Sequence, residues 1–307
     1  MRPTAALIVL ASALLLAGCG TDSGTGGENA DDSPAAPPGE TLEALWRAPG
    51  DDVRLVAGTV DHAVGANRLS FLVVDQASEL VERPSARVWV ARGLERPPFA
   101  ETTARLERIG VPGGTRADAP SIYVATVDLP APGTYWLLAE PVGGTRVQAL
   151  GKLVAATRSA APGVGDRAVR SETPTLRSTG GDLAALTTSR TPDAELYRTS
   201  IAEALDAREP FVVSFATPQH CRSRTCAPVL DVVSSVRDDA RGTGVRFIHV
   251  EIYEGNDPEH GVNRWVEEWQ LPTEPFTFVV DGDGVIRARF EGAFSAAELE
   301  TAVRSVS

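Results

Sequence analysis

The sequence predicts two folded domains of different class: an all-β sandwich, then an α/β domain. Three observations lead there. Between Thr41 and Ala156, short apolar runs mostly alternate with polar residues, the period-two signature of strands with one buried face. From Glu195 onward, helically spaced apolar residues alternate with short continuous apolar runs. Between the two, residues 157–194 are rich in Pro, Gly, Ser and Thr, as connections are. A chain of 307 residues with 43% apolar content is long enough for two such cores.

The chain opens with "MRPTAALIVLASALLLAGC", in which Arg2 precedes an apolar run from Ala5 to Ala17. The run is too short to span a bilayer and fits a secretory leader over residues 1–18. Its end, "LAGC", resembles the lipobox of bacterial lipoproteins. That resemblance implies diacylation of Cys19 (palmitate among the acyl chains), cleavage before it and a partnership with membrane lipid at the extracytoplasmic face of the cell membrane. Residues 19–41 are Gly, Ser, Pro and acid with almost no apolar content, which predicts a flexible tether. A formal net charge of −12 argues against nucleic acid as a partner, because phosphate binding needs a basic surface.

Over residues 42–156 the expected strands are "VRLVAGTV", "NRLSFLVVD", "ARVWVARG", "SIYVATVDL", "TYWLLAEP" and "RVQALGKLVA". Leu69, Phe71 and Val73 fall on one face of the second; Val88 and Val90 oppose Trp89 in the third. Turn residues such as "ERPS", "PAPG" and "VGG" separate them. "VDLPAPGTYWLLAEP" resembles the late hairpin of immunoglobulin-like sandwiches, without the cysteine pair of antibody domains. His62 reads as a solvated loop residue, and the domain as a spacer or interaction module.

Residues 157–194 are the linker and the lead-in to the second domain, 195–307. There "AELYRTSIAEALDARE" is helical, "FVVSF" a strand, "APVLDVVSSVRDD" a helix, "VRFIHVEIY" a strand and "EHGVNRWVEEWQ" a helix. "PFTFVVD" and "VIRARFEG" form a hairpin through "GDG". The last helix starts at Ser295, with Glu298 completing a capping box. His249 reads as a satisfied residue inside a strand.

This order of elements resembles the thioredoxin fold over about residues 162–307. "APGVGDRA" resembles the lead-in of the extracytoplasmic TlpA-like branch, related to the peroxiredoxins, and "LPTEPFTFVVDGDGVIRARFEGAFSAAELETAV" the second half of the fold. The resemblance implies a thiol–disulfide site between "FVVSF" and "APVLD", with Cys221 attacking, Cys226 resolving, Pro275 in cis opposite them, and a protein thiol or disulfide as partner. His220, Arg222 and Arg224 add positive or potentially positive charge, and Glu274 precedes the proline. The spacing departs from the family: four residues, not two, separate the cysteines, and His220 occupies the slot of the usual first cysteine. Positions five apart do not share a helix face, so a disulfide requires Cys221 in the loop or a distorted first turn.

Three readings are open. One is thiol–disulfide redox activity. The second is copper binding by Cys221, Cys226 and His260, because thioredoxin-like copper chaperones of the SCO type combine a cysteine pair at this loop with a distant histidine. The SCO-type spacing is three residues, and its histidine lies later in the chain. The third is a structural disulfide in a binding module without cofactors.

Overall fold

Alternation along the first half of the chain builds one sheet. The computed structural model describes residues 39–221 and 223–307, so the leader, Cys19, most of the expected tether and Arg222 lie outside the described residues. The strands are β1 (Asp51–Ala57), β2 (His62–Ala63), β3 (Gly65–Val74), β4 (Ser85–Ala91), β5 (Ala100–Arg108), β6 (Ser121–Leu129), β7 (Gly133–Pro141) and β8 (Val147–Ala156). They pair in the order β1-β3-β6-β5-β4-β7-β8-β2, and β1 also runs parallel to β8 with Asp51 opposite Val147. The β-sandwich expected over residues 42–156 is all-β as expected, and its strands form one closed, barrel-like sheet rather than two packed ones. The closing pair runs from Asp51 to Arg54 on β1 against Val147 to Leu150 on β8, and Gly151 just beyond it leaves room for the Leu55 side chain.

Leu69, Phe71 and Val73 point into the barrel core with Val88, Val90, Tyr123 and Tyr135, as their alternation requires. Full burial of one such aliphatic side chain contributes about 1.5–3 kcal/mol. A short helix, α1 (Leu42–Trp46), packs across β4. His62 corrects a second expectation. It is 4% exposed, and its Nε2 lies 3.2 Å from the Thr59 carbonyl.

The second sheet is mixed. It contains β9 (Phe211–Phe215), β10 (Arg246–Val250), β11 (Phe276–Val280) and β12 (Ile286–Glu291) in the order β10-β9-β11-β12. β10 is parallel to β9, β11 antiparallel to β9, and β12 antiparallel to β11. Alternation along β9 divides the core. Phe211, Val213 and Phe215 face α2 (Ile201–Asp206) and α4 (Arg264–Glu268), whereas Val212 faces α3 (Cys226–Asp239) and α5 (Ala296–Arg304). The helix expected from Ala194 is broken. A 3₁₀ turn, Ala194–Tyr197, is followed by α2, because Ser200 and Glu203 form a capping box that starts a new helix. A second box, Ser295 with Glu298, starts α5 as expected. Residues 157–194 are folded onto this body: Ala161 joins one core layer and Leu186 the other.

The two sheets belong to one compact unit. The barrel turn around Thr59–Asp61 lies against β12, the edge strand of the second sheet. Glu291 accepts the backbone N–H groups of Val60 and Asp61, each at 3.0 Å, and Arg289 Nη2 meets Asp61 Oδ2 at 2.6 Å. A Cβ on Gly292 would lie 2.7 Å from the Gly58 carbonyl oxygen, and φ there is +71°, so glycine alone allows this approach. Farther along, Arg68 bridges to Glu298 on α5 at 2.7 Å. No helix of the described residues is long and apolar enough to cross a membrane.

Candidate functional site

The site forms where β9 ends. Phe215, the last residue of β9, is opposite Val250 of β10 and Phe276 of β11. The register therefore puts the loop after β9 and Pro275, which precedes Phe276, at the same end of the sheet. The Glu274–Pro275 peptide bond is cis.

Cys221 and Cys226 form a disulfide with their Cα atoms 6.0 Å apart, inside the usual span of about 4.4–6.8 Å. The geometry meets the requirement set by the spacing. Cys221 lies in the loop, and Cys226 is the first residue of α3. The two sulfurs have different surroundings. Cys226 is fully buried against Ala216 and Leu230, while Cys221 is half-buried and reaches the wall of a cleft. The helix start has no side-chain cap from Thr225; the Cys226 N–H donates instead to Cys221 Sγ at 3.3 Å. Ser223 Oγ lies 3.3 Å from the same sulfur and 2.7 Å from Thr225 Oγ1. Arg224 holds a left-handed backbone, φ +53°, inside the six-residue loop that the disulfide closes.

Two buried anchors hold the loop from behind. His249 Nε2 lies 2.9 Å from the Ala216 carbonyl, and its Nδ1 lies 2.6 Å from the Tyr197 hydroxyl. A carbonyl only accepts, so Nε2 carries the proton and the tyrosine hydroxyl donates to Nδ1. Burial pushes the Tyr197 phenol well above its ordinary value, which keeps it a donor. The second anchor is Glu251, 6% exposed, which accepts from the Thr188 N–H at 2.8 Å and hydroxyl at 3.0 Å. Thr188 Oγ1 in turn accepts the Gln219 N–H at 3.2 Å, and its carbonyl accepts from the Gln219 side chain. Sequence reading placed His249 in its strand but missed Tyr197, Thr188 and Glu251. A carboxylate following the apolar run of β10 was the available signal for Glu251.

Burial also lowers the affinity of His249 and His62 for a proton. The nearby carboxylate Glu251 opposes the shift at His249; Glu291 and Asp61 oppose it, and Arg289 adds to it, at His62. A histidine depressed in the folded state is neutral in both states above its unfolded value near 6.5, where stability is greatest. Below that value the unfolded chain binds the proton first. Stability should therefore fall as pH drops from 7.5 to 5.5, with a slope of at most about 1.4 kcal/mol per pH unit for each histidine. Urea titrations across this range read the slope, and His249→Gln should flatten it. A flat wild-type profile would contradict the assignment.

The copper expectation does not fit these side chains. His260 sits in a separate turn with Nδ1 3.3 Å from the Glu254 carbonyl, and the sulfurs are bonded to each other. His220 packs edge-on to Tyr253, ring centroids 6.1 Å apart. Among the described residues, no three His, Cys, Asp or Glu side chains come together as a metal site.

No family model matches the chain, and no curated protein matches it. Among the solved structures that match, three are described. A thiol:disulfide interchange protein of the thioredoxin family from Chlorobium tepidum TLS is 16% identical, over 33% of this chain and 81% of that one, with a TM-score of 0.26. The filamin domain of Lin-41 is 12% identical over 36% of this chain and 96% of its own, TM-score 0.21. The PKD domain of the human VPS10 domain-containing receptor SorCS2 is 11% identical over 46% of this chain and 96% of its own, TM-score 0.17. At these scores none of the three bears on the reading of the site.

Proposed function

We propose that this protein is a thiol–disulfide redox protein working through Cys221 and Cys226 on a thioredoxin-like α/β body. It is held to the extracytoplasmic face of the cell membrane by lipid on Cys19, with the barrel as an immunoglobulin-like module. One observation carries the redox reading: the disulfide straddles the start of α3 with one sulfur at a cleft and the other fully buried. That asymmetry separates an attacking position from a resolving one. A thiolate on Cys221 keeps the Cys226 N–H and the positive end of α3 as stabilising partners.

The step balances as two displacements. Cys221 thiolate attacks a substrate disulfide, forming a mixed disulfide and expelling one substrate thiolate, which takes a proton from water. Cys226, deprotonated, then attacks Cys221 Sγ. It expels the second substrate thiolate and restores the Cys221–Cys226 bond. Two electrons pass to the substrate, and an external dithiol returns them in the next cycle.

The test uses reduced protein and a model peptide disulfide. Cys226→Ser should accumulate a mixed disulfide on Cys221, visible as added peptide mass, and Cys221→Ser should lose turnover by at least about a thousandfold, the order expected when a nucleophile is removed. Turnover surviving Cys221→Ser would refute the reading. So would a reduction potential below about −300 mV, where disulfides are structural staples.

A further inference from the structure

The cleft beside Cys221 has a volume of about 480 Å³, and both halves of the chain build it. One wall is the barrel loop between β5 and β6, through Thr115, Arg116 and Asp118. The other comprises Arg190 of the connecting segment, the cysteine loop and α3. That size suits a ligand or a short stretch of chain. The barrel loop is fixed to α3, because the Thr115 N–H donates to Asp231 Oδ2 at 2.5 Å.

The charges in this cleft are unevenly satisfied. Each carboxylate in the lining has a partner. Asp231 holds the Thr115 N–H, Asp193 holds Arg237 of α3, and Asp118 faces Arg224 Nε at 3.7 Å across solvent. Arg116 and Arg190 are both exposed and, among the described residues, have neither an ion pair nor a hydrogen bond. The cleft thus places two guanidinium groups without a counter-ion among the described residues next to the accessible sulfur, on a chain whose net charge is −12. Cations left without a counter-ion pair with an anionic partner and set its orientation.

We infer that the cleft binds an acidic protein segment, delivering a disulfide flanked by Asp or Glu to Cys221, with Arg116 of the barrel and Arg190 of the connecting segment as its specificity-determining residues. This rests on the redox reading and names its substrate class. It also gives the barrel a role: its β5–β6 loop is half of the substrate site.

The test is a rate measurement on the full, lipidated chain in detergent, reduced, with three peptide disulfides of one sequence flanked by Asp, Asn or Lys. At low salt the Asp peptide should react about tenfold faster than the Asn peptide, which in turn should outpace the Lys peptide. About 1 M salt should collapse the order. The double variant Arg116→Glu, Arg190→Glu should invert it, and circular dichroism should show an unchanged fold, because neither side chain has an ion-pair or hydrogen-bond partner among the described residues. Equal low-salt rates, or an order that survives the charge reversal, would overturn the inference while leaving the redox reading intact. Oxidised glutathione reacting as fast as the Asp peptide would overturn the protein partner in favour of a small anionic disulfide. A reduced protein that reacts with none of these probes would overturn the redox reading, and the inference with it.

Discussion

Asp61→Ala is expected to lower the free energy of unfolding by about 3–5 kcal/mol, because it leaves a buried cation without its counter-charge. The side chains of Arg289 and Asp61 are 13% and 8% exposed. The guanidinium reaches both the Asp61 carboxylate, at 2.6 Å, and its carbonyl, at 3.1 Å, and stacks over Phe276 with Cζ 5.2 Å from the ring centroid. The carboxylate also accepts the N–H groups of Ala160 at 2.8 Å and Ala161 at 3.0 Å. Alanine therefore orphans two backbone donors as well as the arginine. Asp61→Asn retains an acceptor for one of them and should lose less. Adding Arg289→Leu to Asp61→Ala should recover part of the loss, since the second change removes the stranded charge. Urea denaturation of the three variants reads all of this, and a loss under about 1 kcal/mol for Asp61→Ala would show that water reaches the pair. The consequence extends to the site, because Asp61 helps hold the barrel against β12. A loosened barrel would carry the β5–β6 loop away from the cleft.

The parts of this molecule that were legible in the sequence are those whose pattern has a single physical reading. Leu69, Phe71 and Val73 alternate strictly and face one core; Ser295 and Glu298 spell a helix start; the apolar runs of β9 and β11 lie in the centre of their sheet. β5 was missed because "AETTARLER" carries Glu101, Arg105, Glu107 and Arg108, and only Ala104 is fully buried. Its place is set by β4 and β6 on either side, which local composition does not encode. Closure of the barrel was hidden for a similar reason: it rests on the parallel pairing of β1 with β8, strands about ninety residues apart in the chain. At the site, the cysteine spacing required Cys221 in the loop or a distorted first turn, since the constraint is geometric, and the structure takes the first of these. The anchors behind it were not legible. Tyr197 and Thr188 come from the segment before α2, and His249 and Glu251 from β10 and the residue after it, and only the folded chain brings them together. The cleft, likewise, joins residues more than a hundred positions apart, Thr115 and Asp231 among them.

Trp269→Ala should be comparably severe, about 3–5 kcal/mol, the range for truncating a large aromatic in a core. The residue follows the last turn of α4 and is fully buried. Its ring lies 5.2 Å from that of Phe215 and 4.8 Å from that of Phe278, so it braces the end of β9 from which the cysteine loop departs. Its Nε1 donates to Ser171 Oγ at 3.1 Å, and that hydroxyl donates to Glu268 at 2.6 Å, tying α4 to the connecting segment. Two variants separate packing from polarity. Trp269→Phe keeps most of the ring volume and loses the indole donor, and should cost about 1–2 kcal/mol, a hydrogen bond plus a small void. Ser171→Ala removes the partner and leaves the indole N–H buried and unpaired, costing about 1–3 kcal/mol. If packing at the root of β9 also positions the cysteines, Trp269→Ala protein that remains folded in the cold should react more slowly through Cys221 than Ser171→Ala protein of matched stability. Equal rates would mean that the two loop anchors, His249 at Ala216 and Thr188 at Gln219, hold the sulfurs without help from the core beneath them.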